Sequence, residues 1–433
     1  MDARTDHKME LLAPAGGFEQ LRAALLFGAD AVYLAAEDFG MRARAANFKQ
    51  EEIAQAVAEA HACGVPVHVA CNVQMMESDL RRLPAYFEAI QAAGVDALII
   101  GDMGAFALAK RYAPECALHV STQASVSNSA AACAWYELGA SRIVCAREMT
   151  LADIAQMREE IPPDLELEAF VHGAQCMAVS GRCLISSYLT ERSGNRGHCT
   201  QPCRWSYTLE EEKRPDVHFP IEEDGRGTFI LNAKDLNMAG HLDELARAGI
   251  DSIKIEGRNK KAFYVACVVG AYRRALDGAD PQEIEAELRA ISHRPYSTGF
   301  YFGVPEQASD FDGYEQETMH VADVVACDVL KAADRESGDD AAVERYRLTL
   351  RCRNRFAVGD ELEVVSPHES VRSLVIDELA WIPSCEEEGM LYPPEPVEVA
   401  NRSCDLYAIK APFMIEPGSF ARIRTYRRSA RHG

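Results

Sequence analysis

The chain has 433 residues, of which 48% are hydrophobic and 26% are charged, as in soluble globular proteins of two or three domains. No segment approaches eighteen consecutive apolar residues, and the charged N-terminus MDARTDHKME lacks an apolar export signal, so we expect a cytoplasmic protein with no membrane partner. The formal charge of −22 disfavours nucleic-acid binding unless a local basic patch offsets it. In a reducing compartment the fourteen cysteines are expected to serve metals or cores rather than disulfides.

The first 260 residues repeat one local pattern, in which an Ala-rich helical segment ends at Gly and a short apolar strand follows. The repeats lie at 27–35, 63–70, 93–101, 138–146 and 248–257. Three further strands are predicted at Leu11–Ala15, Leu118–Thr122 and Leu167–His172. Because apolar runs without alternation are typical of parallel strands buried on both faces, the pattern predicts an α/β fold, a TIM-like (β/α)8 barrel. A doubly wound open sheet is the alternative, disfavoured because no Gly-rich phosphate loop follows the first strand.

The predicted barrel domain covers 1–305, with a cysteine-rich insertion at about 174–228 after the seventh strand. A ninth apolar run, Phe229–Ala233, is assigned to the insertion, where it is expected to pair with Tyr207–Glu211. From about 310 to 433, alternating strands such as YRLTLRC and FARIRTY, separated by turns such as EPGS, predict a small antiparallel β-barrel or sandwich.

In a β/α barrel the reacting groups lie at the carboxyl ends of the strands. The polar residues at those positions are Asn72, Thr122, Gln123, Arg147, Glu148, His172, Lys254, Glu256 and Arg258. Three of them alternate within SIKIEGR and are predicted to share one face, where charges must pair with each other or meet a charged ligand. One interpretation is an internal salt-bridge layer. The other is a carboxylate- or phosphate-binding site in which Arg258 contacts the anion.

These positions supply the candidate functional residues. The catalytic candidates are His172, Glu256 and Lys254, and the substrate-binding candidates are Arg42, Asn72, Gln123, Glu148, Arg182 and Arg258. Arg42 and Arg44, in the loop after the second strand, either contact the same anion or remain surface charges. His172 is either a structural histidine or a ligand, an acid–base group or a substrate-binding group.

Four clustered cysteines are the most informative feature of the insertion: Cys176, Cys183, Cys199 and Cys203. Thiolates are soft anionic ligands, so a group of them favours a metal ion or an iron–sulfur cluster. Only the last two have the C-x2–4-C spacing of a structural zinc site. The wider gaps suit a [4Fe-4S] cluster, whose irons spread the ligands apart, while zinc and unligated thiols are the alternatives.

Other sequence features bear on the chemistry. Cys71, Cys145 and Cys267 lie in apolar runs and are predicted to be core residues. The last residues, which include Arg422, Arg424, Arg427, Arg428 and Arg431, form either a local basic patch or a frayed end.

There is no H-E-x-x-H, G-x-S-x-G or P-loop motif, so a hydrolase would need an unusual set of catalytic residues. A cluster beside an anion-binding barrel instead favours redox or radical-type chemistry.

Four segments resemble the collagenase-like peptidase family of unassigned mechanism: ELLAPAGGFEQLRAALLFGADAVYLA, EAFVHGAQCMAVSGRCLISSY, GNRGHCTQPCRWSY and KDL…AGIDSIKIEGR. The resemblance covers about 1–305, and the wording GNRGHCTQPCRW with the β-rich C-terminal part is similar to its tRNA-hydroxylating branch. That resemblance implies prephenate-dependent conversion of the tRNA wobble uridine to 5-hydroxyuridine, with the four cysteines holding a [4Fe-4S] cluster and the second domain docking RNA. Prephenate is a dicarboxylate, which suits an arginine-rich barrel mouth.

Three other functions remain open. The family label suggests a collagenase-like peptidase, and related members of the family act on 23S ribosomal RNA. A zinc-stabilised, non-catalytic RNA-binding scaffold is the third.

Overall fold

We analysed a computed structural model of the chain. It describes residues 8–41, 47–175, 180–181, 183–205, 208–211, 214–220, 234–303, 314–330, 345–383 and 393–425. Contacts within the chain divide it into two compact units. Unit 1 comprises 1–25, 29–285 and 293–314, and unit 2 comprises 26–28, 286–292 and 315–433.

Unit 1 is a closed barrel of eight parallel strands. The strands described in this unit are β1 (Glu10–Pro14), β2 (Ala31–Leu34), β3 (Val67–Cys71), β4 (Ala97–Ile100), β5 (Ala117–Val120), β6 (Arg142–Val144), β7 (Glu166–Ala174), β8 (Thr208–Glu211), β9 (Arg214–Pro220), β10 (Asp235–Asn237), β11 (Ser252–Ile255) and β12 (Tyr296–Ser297). β1 to β7 pair in chain order, and β11 pairs with both β7 and β1, which closes the barrel. The predicted (β/α)8 barrel with an insertion after its seventh strand is therefore confirmed.

Helices surround the strands. The described helices are α1 (Phe18–Leu26), α2 (Ile53–Ala62), α3 (Glu77–Leu80), α4 (Leu83–Ala92), α5 (Met103–Tyr112), α6 (Ser129–Leu138), α7 (Leu151–Glu160), α8 (Ile185–Thr190), α9 (Leu242–Arg247), α10 (Ala262–Leu276) and α11 (Pro281–Ala290). Polar side chains begin several of them: Asp102 accepts a hydrogen bond from the Ala105 amide, and Thr150 forms a capping box with Asp153. Gly139 ends α6 at φ 109°, which explains the glycine of the repeated pattern. None of the helices in the described ranges is long and apolar enough to cross a membrane.

Two short strands outside the insertion extend the sheet beside the end of β7. β10 pairs antiparallel with the last residues of β7, and β12 pairs with β10. These two strands were not predicted, because two or three residues are too few to show an apolar pattern. β8 pairs with β9, whereas the partner predicted for it, Phe229–Ala233, lies outside the described residues. The predicted pairing of Tyr207–Glu211 with that segment therefore stays a prediction.

Unit 2 contains an antiparallel half-barrel, in agreement with the predicted small β-barrel. Its described strands are β13 (Thr318–Val329), β14 (Tyr346–Cys352), β15 (Phe356–Ala357), β16 (Glu361–Val365), β17 (Arg372–Val375), β18 (Leu379–Ile382), β19 (Glu395–Pro396), β20 (Val399–Ala400), β21 (Leu406–Ala411) and β22 (Phe420–Arg424). Eight of them form one sheet in the order β17-β16-β22-β13-β14-β21-β18-β19. Leu348, Leu350, Phe356, Tyr407 and Ile409 contribute to the core on one face of this sheet.

Candidate active site

A cavity of about 470 Å³, measured with the solvent at its mouth, lies at the carboxyl ends of the barrel strands. Its polar lining comes from five strand ends: Tyr33, Asn72, Ser121, Thr122, Gln123, Arg147, Lys254, Glu256 and Arg258. The structure thus brings together Asn72, Gln123, Lys254, Glu256 and Arg258 of the candidate residues. The alternation read in SIKIEGR places its three charged side chains at one cavity, as predicted.

Hydrogen bonds orient the neutral part of the lining. The Asn72 side chain donates to Ser121 Oγ at 3.2 Å and accepts from the Met41 amide at 3.3 Å. Thr122 Oγ1 donates to the Cys145 carbonyl at 3.1 Å. These bonds connect the loops after β2, β3, β5 and β6, so the wall of the cavity is built by several strands at once.

Lys254 connects the cavity to a buried layer of charges. Its Nζ lies 2.7 Å from Glu168 Oε1 and 4.4 Å from the centre of the Tyr33 ring. Glu168, which has no exposed side-chain surface, also accepts from Arg142, and Arg142 is 2.6 Å from Glu10. Burial lowers the pKa of Lys254, although the Glu168 carboxylate opposes that shift. The salt-bridge interpretation therefore holds for Lys254.

Sequence reasoning missed Glu168 and Arg142. The available signal was a charged residue inside each of two otherwise apolar strands, where an unpaired charge is costly. Two buried histidines lie beside this layer, with the His68 and His119 rings edge to face at 4.8 Å. Burial lowers the pKa of His68 to about 4 and that of His119 well below its usual value. Both rings are therefore neutral, and the ion pairs carry the charge of the layer.

Cationic groups outnumber carboxylates at the cavity. Arg147 and Arg258 line it together with Lys254, whose charge is offset by Glu168 outside the lining. Glu256 is the one carboxylate among the described lining residues. The Arg147 guanidinium lies 4.3 Å from the centre of the Phe170 ring, a cation–π contact that holds it at the wall. Such a lining favours an anionic ligand.

His172 does not line the cavity. Its ring lies 5.5 Å from that of Tyr272 and 5.4 Å from that of Tyr296, and neither ring nitrogen has a hydrogen-bond partner in the described part of the chain. The β7–β11 pairing shifts register at this point, so Phe170 faces the cavity while His172 packs among tyrosines. Burial lowers the pKa of His172 to about 3. The expectation that strand seven presents this side chain beside the other candidates is wrong.

Glu148 contacts the cysteine-rich insertion rather than lining the cavity. Its carboxylate accepts from the Ser180 amide at 2.7 Å and from the Ser180 hydroxyl, and Ser125 donates to the Ser180 carbonyl. Gly181 follows at φ 71°, and a Cβ on it would lie 2.2 Å from the Gln123 carbonyl oxygen. This end of the insertion therefore lies directly on the loops after β5 and β6.

A second contact fixes the insertion to the loop after β3. Gln74 donates its amide proton to the Asn195 carbonyl at 2.8 Å, and Arg196 pairs with Asp79 at 2.8 Å. The Asn195 side chain donates to the Cys183 carbonyl at 3.0 Å. The segment that carries three of the four cysteines is thus attached at the carboxyl ends of the strands, on the same side of the barrel as the cavity.

Cys183, Cys199 and Cys203 are half-buried, and the Cys199 sulfur accepts from the Gln201 amide at 3.3 Å. Amide hydrogen bonds to sulfur are typical of thiolates that hold iron–sulfur clusters. Cys176, Arg42 and Arg182 lie outside the described residues. Within those residues, no three His, Cys, Asp or Glu side chains converge as a group for one metal ion. The donor chemistry fits a soft metal, but the three described cysteines do not form a compact tetrahedral site.

Residues 16–310 match the sequence model of Peptidase family U32. The chain belongs to this family. Among U32 relatives it is 38% identical over 370 residues to tRNA hydroxylation protein P1 of Bacillus subtilis, a match that covers 83% of this chain and 84% of that protein. It is 34% identical to the 23S rRNA 5-hydroxycytidine C2501 synthase of Escherichia coli (85% and 54% covered) and 32% identical to a collagenase of Porphyromonas gingivalis (68% and 73%). The predicted family membership is confirmed.

Proposed function

We propose that this U32 protein hydroxylates the wobble uridine of tRNA to 5-hydroxyuridine, with prephenate as co-substrate and a [4Fe-4S] cluster as cofactor. The observation that carries the proposal is a cationic cavity at the strand ends, with the cysteine-rich insertion attached on the same side. The relatives favour tRNA over ribosomal RNA, because the match spans 84% of the tRNA hydroxylation protein but about half of the rRNA enzyme.

The cavity suits a dicarboxylate. Arg147 and Arg258 present guanidinium groups that bind carboxylates with two parallel hydrogen bonds, and Asn72 and Gln123 add amide groups. Lys254 adds a positive charge whose position is fixed by Glu168. Glu256 is the carboxylate of the lining that we expect to accept or return a proton at the bound substrate. In this proposal the barrel residues bind and orient prephenate and exclude water from it.

The cysteines would hold the cofactor. Cys176, Cys183, Cys199 and Cys203 are its proposed ligands, and a bound cluster supplies one-electron chemistry. Anaerobically purified protein is expected to contain iron and acid-labile sulfide, and a Cys199→Ser variant is expected to lose most of both. A Cys63→Ser variant, at an exposed cysteine outside the insertion, serves as the control. Zinc without iron or sulfide would favour the scaffold hypothesis instead.

Mass spectrometry of tRNA nucleosides tests the activity. A strain that lacks this protein should lose 5-hydroxyuridine derivatives, the wild-type gene should restore them, and Arg258→Gln should not. Arg258→Gln protein should also lose the rise in melting temperature that prephenate gives the wild type, since it removes a carboxylate partner. An unchanged amount of 5-hydroxyuridine derivatives in the deletion strain would contradict the proposal. Loss of 5-hydroxycytidine from 23S rRNA in that strain would instead indicate the ribosomal substrate.

The peptidase function has less support at this cavity. The Ser121 hydroxyl is hydrogen-bonded to Asn72 and to the Gln123 amide, and no histidine or cysteine stands among the described lining residues. A Ser–His or Cys–His pair is therefore missing from that described lining. Purified protein is expected to leave gelatin intact. If the purified protein cleaved gelatin and a His172→Ala variant did not, the peptidase hypothesis would be established.

A further inference from the structure

Arginines recur at alternate positions within and beside β14, near the middle of the unit 2 sheet. We call Arg345, Arg347, Arg351, Arg353 and Arg355 the arginine row; they recur at alternate positions in ERYRLTLRCRNRF, with Thr349 between the second and third. The intervening Leu348, Leu350 and Cys352 belong to the core. Because successive side chains of a strand point to opposite faces, Arg347 and Arg351 lie on the face of β14 turned away from that core. The other three arginines of the row lie just beyond the two ends of the strand.

Most of the row is free to bind a ligand. Arg345, Arg347, Arg351 and Arg355 are exposed, and none of them forms an ion pair with another described residue. Arg353 is 2.7 Å from Asp323. In the register of the sheet, Arg347 has Asp328 on one side and Lys410, itself paired with Glu378, on the other. Arg351 lies beside Asp323, the carboxylate that pairs with Arg353. The five arginines and Lys410 still outnumber these three carboxylates, so the local charge balance is positive.

That balance is unusual for this chain, whose formal charge is −22. Alternate side chains along a strand are about 7 Å apart. This spacing is shorter than the screening length of about 8 Å at physiological salt, so arginines at neighbouring alternate positions repel one another and their potentials add. Thr349 separates Arg347 from Arg351 by about twice that spacing. A linear polyanion relieves the repulsion along the whole row, which a single small anion does not.

We propose that the arginine row binds the phosphate backbone of tRNA. The proposal rests on the proposed function, which supplies tRNA as the substrate. Arginine forks match phosphate oxygens geometrically, and an acidic protein needs such a local patch to hold RNA. The C-terminal arginines do not supply it within the described residues, because Arg422 and Arg424 both pair with Glu363.

A double substitution tests the row. Arg347→Gln with Arg351→Gln should weaken binding of a full-length tRNA transcript by about tenfold and lower the slope of log affinity against log salt by about 1.5 to 2. The matched control is Arg111→Gln with Arg247→Gln, at two exposed arginines of unit 1 that do not line the cavity. Fluorescence anisotropy of labelled tRNA measures both, and thermal melting checks that the variants fold. Unchanged affinity and salt slope in the row variant would overturn the proposal.

Turnover separates this proposal from the proposed function. The row variant should raise KM for full-length tRNA and leave kcat unchanged. Loss of kcat instead would show that the row acts on the reaction and not on docking. If the wild type hydroxylates no tRNA but the row substitutions still weaken tRNA binding, the proposed function is wrong and the proposal for the arginine row is supported.

Discussion

At the scale of single residues, partners decide what each charged group does. Lys254, Glu256 and Arg258 share one cavity, yet Lys254 is paired with the fully buried Glu168. Glu168 also contacts Arg142, so one carboxylate pairs with two buried cations. Removing such a carboxylate lowers the stability of the fold strongly, because its cationic partners then remain buried without a counter-charge.

Substituting Glu168 by Gln should therefore destabilise the protein strongly. We expect a loss of about 3–5 kcal/mol in the free energy of unfolding, since Lys254 and Arg142 lose a buried counter-charge. Glu166→Gln is the matched control, because Glu166 lies on the same strand and pairs with Arg142 at 2.7 Å but is half-exposed. It should cost under about 1 kcal/mol. Urea unfolding of the two variants makes the comparison, and equal losses would refute the role assigned to the buried layer.

At the scale of elements, the insertion depends on close contacts with barrel loops. Ser180 is bound by Glu148 and Ser125, and Gly181 lies against the backbone of Gln123. These contacts place Glu148 against the insertion and outside the cavity lining, while its substrate-binding role stays a prediction.

A Gly181→Ala substitution should loosen this attachment. The added Cβ would lie 2.2 Å from the Gln123 carbonyl oxygen, and φ 71° is strained for alanine, so the loop must move. Hydrogen exchange in residues 183–205 should become faster while the barrel strands keep their protection. Gly240→Ala is the control, because nothing lies within 4 Å of a Cβ at that position. Unaltered exchange in the variant would show that Gly181 does not anchor the segment.

At the scale of the whole molecule, buried neutral histidines link stability to pH. Burial lowers the pKa of His68 to about 4 and of His172 to about 3, and it lowers that of His119 as well. In the unfolded chain these groups titrate near 6.5. Below that pH the unfolded state takes up protons that the folded state does not, so acid favours unfolding.

Stability should accordingly fall as the pH drops from about 6.5 towards 4, by about 1.4 kcal/mol per pH unit for each histidine. His172→Phe, which keeps a ring among the tyrosines, should remove one histidine's share of that slope. The control is His368→Asn, at an exposed position of unit 2 where φ is 57°. Urea unfolding at several pH values measures the slopes. A His172→Phe slope equal to that of the wild type would mean that His172 is not held neutral.

The sequence by itself determined the barrel, the place of the insertion and the antiparallel second domain. Each of these depends on local patterns: helix, glycine and apolar strand recur within about 30 residues, and strand alternation is read over seven. It also placed Asn72, Gln123, Lys254, Glu256 and Arg258 together, because parallel strands of a barrel end on one side. Cys71, Cys145 and Cys267 are buried, as their apolar surroundings predicted.

Only the tertiary structure decided the roles of individual side chains. The register shift beside His172, the Glu148–Ser180 bonds and the Glu363 pairing of Arg422 and Arg424 all involve partners remote in the chain. Lys254 and the carboxylate with which it pairs, Glu168, are 86 residues apart in the chain. The alternating arginines at β14 are visible in the sequence, but the structure decides that Arg347 and Arg351 are exposed and that Arg353 pairs with Asp323. A side chain's charge is local information, whereas its neutralisation is a property of the folded molecule.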